Sequence, residues 1–234
     1  MTVAALLALQ ARRAPLRMII YDCDGVLVDS EPVANRVCAE EITTLGWVMT
    51  AEECHRKFLG MSLSDMRPVI EARLGRPIAP DWVPYLADRL VQALGQEAVL
   101  MDGAEAVLRA TSALGLDWRI ASNSGPEELA AKFTRTGLTG LVEGRFHSAN
   151  EVIVRGGRGK PSPDLFLAAA AASRIPPEAC VVVEDSATGI HAAHAAGMTC
   201  LAFAPHGDNP VLAELSVPSV RSLYDLPDLF GAVL

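Results

Sequence analysis

The sequence predicts an α/β protein: a parallel sheet with helices on both faces, interrupted after its first strand by an all-helical insert. Three observations carry this. Short apolar, β-favouring runs alternate with helical segments over residues 100–234, the pattern of a parallel sheet covered on both sides. Residues 33–99 hold helical patterns and no convincing strand. The length of 234 residues, at roughly 150 per domain, gives about 1.5 domains, which fits one domain carrying a smaller insert.

The elements follow in order. Residues 1–17 read as an N-terminal extension, loose or helical. Its apolar stretch Val3–Leu9 lacks the basic start of a signal peptide, because Arg12 and Arg13 follow it. Met18, just ahead of the first strand signal, is a candidate start. Met18–Asp22 is a short apolar run ending in acid, a buried strand with a carboxylate at its C-terminal edge. The insert shows helical patterns at Glu31–Leu45, Ala51–Phe58, Leu63–Leu74 and Asp81–Leu94. Further strands are expected at Trp118–Ser122, Cys180–Glu184 and Thr199–Phe203, with Arg145–Ser148 a weaker candidate. Gly125-Pro126-Glu127-Glu128 opens a helix with proline and acids in its first turn. Ser162-Pro163-Asp164 reads as an N-cap, a first-turn proline and a first-turn acid, leading into a helix over Leu165–Ser173. A helix from Ser186 to Ala196 closes at Gly197. The run Ala168–Ala172 suits a tightly packed helix face. The sheet domain is thus expected at 18–32 and 100–234, and the helical insert at 33–99.

Composition narrows the function classes. Half of the residues are hydrophobic and 21% are charged, so neither a disulfide nor a structural metal is needed for folding. A net charge of −8 and a pI near 5.1 argue against a nucleic-acid surface. Five scattered cysteines with no C-x-x-C indicate a reducing, cytoplasmic setting. Mean hydropathy is +0.26, yet no apolar run approaches the ~20 residues of a membrane span. His191 and His194 lie three apart on a helix with no third ligand in view, and read as surface or packing histidines. The basic run Arg155-Gly-Gly-Arg158-Gly-Lys160 reads as a loop that delivers Lys160.

The most informative segment is Asp22-Cys-Asp24-Gly25-Val-Leu-Val-Asp29-Ser30. Two residues along an extended chain span about 6.5 Å and place both side chains on one face. Two carboxylates so spaced can straddle a phosphorus atom, one attacking while the other reaches the leaving oxygen. Glu184 and Asp185 follow the hydrophobic run Val181–Val183. Two adjacent acids at the end of a buried strand are costly unless they bind something, and metal ligation is the favoured reading. A phosphate monoester carries about two negative charges at neutral pH and would repel a carboxylate nucleophile, which a divalent cation relieves. Mg²⁺ takes oxygen ligands, which Asp22, Glu184 and Asp185 can supply.

The opening segment resembles the first motif of the haloacid-dehalogenase-like superfamily, in its phosphatase and phosphomutase branch. The other three motifs of that family appear in order: Ser122 in Ala121-Ser122-Asn123-Ser124; Lys160 in Lys160-Pro161-Ser162-Pro163-Asp164-Leu165-Phe166; and Glu184-Asp185 in Val181-Val-Val-Glu184-Asp185-Ser186-Ala-Thr-Gly189. The resemblance implies a Rossmann-like core with a helical cap. It implies Asp22 as nucleophile, forming an aspartyl phosphate. Asp24, protonated at first, would give its proton to the leaving alcohol and then activate water. The resemblance further implies phosphate contacts from Gly25, Ser122, Asn123 and Lys160. Metal ligation would come from Asp22, Glu184, Asp185 and the backbone carbonyl of Asp24. Asp29 and Ser30 are expected to shape the turn into the insert.

Phe58-Leu59-Gly60-Met61-Ser62-Leu63-Ser64-Asp65 aligns with the cap loop that selects substrate in that family. β-Phosphoglucomutase-like members place a lysine before this glycine and an arginine three residues after it, where this chain has Leu59 and Leu63. They also carry a histidine where this chain reads Pro32-Val-Ala-Asn35. These departures favour a phosphatase of a small sugar or sugar-acid phosphate over a mutase. A dehalogenase lacks the second acid that Asp24 provides. A phosphonoacetaldehyde-type hydrolase needs a cap lysine as imine former, and the insert's Lys57 is not placed for that. A catalytically silent binding protein of this fold would not need the full set of motif residues. The expectation is a Mg²⁺-dependent phosphohydrolase, a monomer or weak dimer with a small-metabolite substrate.

Overall fold

A computed structural model of the chain describes residues 3–58, 61–207, 212 and 214–234. Its strands are β1 (Met18–Tyr21), β2 (Val28–Asp29), β3 (Val99–Leu100), β4 (Asp117–Ser122), β5 (Phe146–Ser148), β6 (Cys180–Glu184), β7 (Thr199–Phe203) and β8 (Ser219–Val220). Six of them form one sheet in the order β5-β4-β1-β6-β7-β8, with every neighbouring pair parallel. Every strand the sequence indicates is present within a residue or so of its expected bounds. The two-residue strands β2, β3 and β8 were not expected, because two residues carry no readable alternation.

Strand residues divide cleanly between the two faces, because side chains alternate along a strand. Ile19, Tyr21, Val181, Val183, Leu201 and Phe203 join one apolar cluster. Met18, Ile20, Cys180, Val182, Cys200 and Ala202 join the other. Both faces are buried, so β1 and β6 read as continuous apolar runs. The second face is covered by α10 (Asp164–Ala172) and α11 (Ala187–Ala195), through Leu165, Phe166, Ala169 and Ala170 of the former and Ile190, Ala192 and Ala193 of the latter. The alanines let α10 lie close to the sheet.

The first face is covered by α1 (Val3–Gln10), α6 (Ala104–Ala113), α7 (Pro126–Thr136) and the C-terminal helix α12 (Leu226–Gly231). The loose alternative for the N-terminal extension does not hold: α1 is helical and buries Ala5 and Leu9 in the cluster that contains Leu226, Leu229 and Phe230.

Between β2 and β3 lie α2 (Glu31–Thr44), α3 (Ala51–Phe58), α4 (Leu63–Leu74) and α5 (Trp82–Glu97). The helical segment opens at Glu31, where its first helical pattern is expected. β2 and β3 pair antiparallel, Val28 with Leu100 and Asp29 with Val99, and so bring its two ends together beside the acid-bearing turn after β1. The segment shares an apolar cluster with the first face of the sheet. Arg135 of α7 ties it down further, its Nε donating to the Gln96 carbonyl at 2.6 Å.

One expected cap is absent. Ser162 does not cap α10; Pro163 occupies that position, and the buried Ser162 Oγ has no partner among the described residues. Asp164 turns back instead and accepts from the Arg158 N–H at 2.9 Å. The acid thereby fixes the loop that presents Lys160.

Candidate active site

The sheet's topology gathers the motif residues at one edge. Asp22 follows β1, Ser122 ends β4 and Glu184 ends β6, and β4, β1 and β6 are adjacent parallel strands. All three side chains therefore emerge at carboxyl ends, where open α/β sheets place ligands. Lys160 arrives from the loop before α10. Its backbone N–H donates to Asn123 Oδ1 at 2.9 Å, and its carbonyl accepts from Asn123 Nδ2 at 3.2 Å. Both ends of the Asn123 amide are thus spent on holding Lys160.

The Lys160 ammonium bridges Asp22 Oδ1 at 2.5 Å and Glu184 Oε1 at 2.6 Å, and all three side chains are buried. The other oxygen of Glu184 accepts from the N–H and the hydroxyl of Ser186, each at 2.8 Å. Ser186 is also the N-cap of α11, accepting from the Gly189 N–H at 3.1 Å. A Cβ at Gly189 would stand 1.7 Å from Glu184 Oε1, so the first turn of that helix must be bare for the carboxylate to lie against it.

Asp22, Glu184 and Asp185 each present a carboxylate oxygen, and these atoms lie within 4.8 Å of one another. Among the described residues, no side chain or backbone group forms a hydrogen bond or ion pair with the Asp185 carboxylate. Burial pushes the Asp22 carboxyl up to about 7; Lys160 opposes this, while Glu184 and Asp24 add to it. Asp185 is raised well above the usual carboxylate range by burial and then by Glu184, Asp22 and Glu31. Three crowded carboxylates facing one ammonium lack positive charge. The oxygen-only donor set fits a hard divalent cation.

Gly25 adopts φ +76°, and a Cβ there would fall 1.8 Å from Asp185 Oδ2. Its N–H donates to the Val28 carbonyl at 2.8 Å. Its N–H thus closes the turn, and its missing side chain makes room for Asp185.

Asp24 points away from the acidic trio. Its Oδ1 accepts from the Ser30 hydroxyl and from Lys132 Nζ, the latter at 2.5 Å. Its Oδ2 accepts from the Ser122 hydroxyl at 3.1 Å and the Ser124 hydroxyl at 2.9 Å. Burial pushes this carboxyl up, but the Lys132 ammonium and the bonds from Lys132, Ser30 and Ser124 outweigh it and hold it at about 2. With these partners and no substrate, Asp24 is ionised.

Lys132, which the sequence reading missed, is fully buried. Its signal was present: it stands between the buried Leu129 and Phe133 on the apolar stripe of α7, where a lysine does not belong without a partner. Ser30, expected only to shape a turn, binds Asp24 directly. His191 and His194 are exposed and belong to no cluster of metal-binding side chains among the described residues. Leu59 and Gly60 of the expected cap loop lie outside the described residues. Leu63 opens α4, whose N-cap is Ser62.

A parallel sheet presenting this acid-rich cluster at its carboxyl edge defines a hydrolase of the haloacid-dehalogenase class. The chain belongs to that family: residues 16–197 match the model for haloacid dehalogenase-like hydrolases. It is 25% identical over 218 residues to the 6-phosphogluconate phosphatase of Escherichia coli, covering 93% of this chain and 96% of that one. Hexitol phosphatase A from the same organism is 28% identical over 202 residues, with 85% and 88% covered. Among solved structures, a haloacid dehalogenase-like protein of Agrobacterium tumefaciens superposes with a TM-score of 0.77 at 32% identity, over 93% of this chain and 98% of that one. A family hydrolase of Deinococcus radiodurans, solved with bound phosphate and sodium, gives 0.73 at 32%, over 92% and 98%. No helix among the described residues is long and apolar enough to cross a membrane.

Proposed function

We propose that this protein is a Mg²⁺-dependent phosphatase of a small sugar or sugar-acid phosphate, working through an aspartyl phosphate on Asp22. The observation that carries the reading is the convergence of Asp22, Asp24, Ser122, Lys160, Glu184 and Asp185, from four separate stretches of chain, at one sheet edge. The relatives named as 6-phosphogluconate, hexitol and phosphoglycolate phosphatases support the substrate class.

Asp22, Glu184 and Asp185, with the Asp24 carbonyl, would hold the cation. When bound, it screens the phosphate dianion from the attacking carboxylate. Asp22 attacks phosphorus as the bond to the leaving oxygen breaks. The arriving dianion draws the Ser122 hydroxyl from Asp24 Oδ2 to itself. Both changes favour a proton on that oxygen, taken up from solvent or kept from the water of the preceding turnover, and this proton goes to the leaving alcohol. A water then attacks phosphorus, gives its proton to Asp24, and releases Asp22 with inorganic phosphate. Lys160 keeps Asp22 aligned and supplies positive charge at the phosphate. Helices α2–α5 act as a cap that selects the leaving group. Five buried free cysteines fit a reducing, cytoplasmic compartment.

The test is turnover of 4-nitrophenyl phosphate with Mg²⁺ and with excess chelator, followed by a panel of phosphorylated sugars, sugar acids and glycolate. Activity should vanish on chelation and return with Mg²⁺. Full activity in chelator, or no turnover of any phosphate ester, defeats the reading.

A further inference from the structure

We propose that Lys132 is a positioning residue for Asp24: it anchors Oδ1 of that carboxylate so that Oδ2 alone faces the phosphate side and exchanges protons there. This rests on the phosphatase reading above.

The two oxygens of Asp24 have different partners. Oδ1 is held by Ser30 of the turn and by Lys132 Nζ at 2.5 Å, both parts of the scaffold. Oδ2 is held by hydroxyls alone, those of Ser122 at 3.1 Å and Ser124 at 2.9 Å. Ser122 ends β4, beside Asp22 and the acidic cluster.

The Oδ2 contacts can be surrendered and the Oδ1 contact cannot. Ser124 has one hydroxyl proton but two acceptors, Asp24 Oδ2 at 2.9 Å and Glu128 Oε1 at 2.8 Å. It can turn to Glu128 without losing a bond. Ser122 can turn to a phosphate oxygen. Lys132 has no such freedom. Its three protons are already placed on Asp24 at 2.5 Å, Glu128 at 2.5 Å and Ser124 at 2.8 Å, and the side chain is fully buried. A buried ammonium that gives up a carboxylate pays the desolvation of both charges. The carboxylate plane is therefore fixed through one oxygen while the other is free to work.

The test uses the holoenzyme with Mg²⁺ and a series of phenyl, 4-chlorophenyl and 4-nitrophenyl phosphates. The quantity is kcat/KM, which reports the steps up to departure of the phenol. A good leaving group needs little proton donation and a poor one needs much. In Lys132→Met, kcat/KM for phenyl phosphate should fall at least ~10-fold more than that for 4-nitrophenyl phosphate, within the share of general acid catalysis. In an Asp24→Asn background the same substitution should add no further leaving-group dependence. Ser30→Ala removes the other Oδ1 donor without stranding a charge and should steepen the dependence in the same direction. It decides the matter together with Lys132→Gln if Lys132→Met does not fold. An equal loss on all three substrates, or a leaving-group effect that persists without Asp24, overturns the positioning role. A wild-type protein that hydrolyses neither these three nor any phosphate of the sugar and sugar-acid panel overturns the phosphatase reading and this inference with it.

Discussion

Asp185→Asn should make the metal-free protein more stable while removing its response to metal and its activity. Asp185 faces Asp22 and Glu184, with carboxylate oxygens within 4.8 Å, and its carboxylate has no hydrogen bond or ion pair among the described residues. Two full charges at that distance repel by about 3.5 kcal/mol at an effective dielectric near 20. Two effects reduce what the substitution can recover. Lys160 already offsets Asp22 and Glu184. Burial and the neighbouring acids already push Asp185 towards its neutral form. A net gain of about 1 kcal/mol remains, a rise in Tm of about 2–4 °C for a chain of this size. In the wild type, Mg²⁺ at a hundred times its Kd should stabilise by about 2.7 kcal/mol. The assay is thermal unfolding of both proteins in chelator and in Mg²⁺, alongside phosphatase turnover. A variant that melts lower than wild type in chelator would refute the view that the site is short of positive charge. A variant that keeps the full Mg²⁺ shift would show that Asp185 does not hold the cation.

Other perturbations test neighbouring parts. Asp22→Asn should leave the fold and Tm nearly unchanged and abolish turnover; a variant with wild-type rate sinks the aspartyl-phosphate mechanism. Gly25→Ala places a Cβ 1.8 Å from Asp185 Oδ2 at φ +76°. It should cost about 1–2 kcal/mol in backbone strain, and displacing Asp185 by about 1 Å should lower kcat/KM about 100-fold; unimpaired activity would show that the turn tolerates the side chain. Asn123→Ala cuts both tethers on the Lys160 backbone, and kcat/KM should drop about 10-fold, the worth of roughly one net hydrogen bond, with circular dichroism unchanged; a normal rate would mean that the loop alone places Lys160. Ca²⁺, larger and less strict in geometry than Mg²⁺, should restore little activity to chelated enzyme.

The sequence by itself determined the sheet and the chemistry-bearing residues at its edge. Buried strands such as Cys180–Glu184 write themselves as unbroken apolar runs because both faces are covered, and an acid ending such a run can only lie at the strand's exit. Asp22, Glu184 and Asp185 were legible on that ground, Ser122 and Lys160 through the family motifs they resemble, and the helices of the insert through their own patterns. What each group does once assembled was not. Only the structure shows that Asn123 holds a backbone 37 residues away and that the bare Gly25 makes room for Asp185. Lys132 was passed over, although it lies four residues after Glu128 on α7. Only tertiary structure sets its ammonium against Asp24, 108 residues earlier, and so leaves that carboxyl ionised. Local patterns record burial and element type, because those depend on neighbours in the chain. Charge state and orientation depend on which distant side chains share the same few ångströms of low-dielectric space.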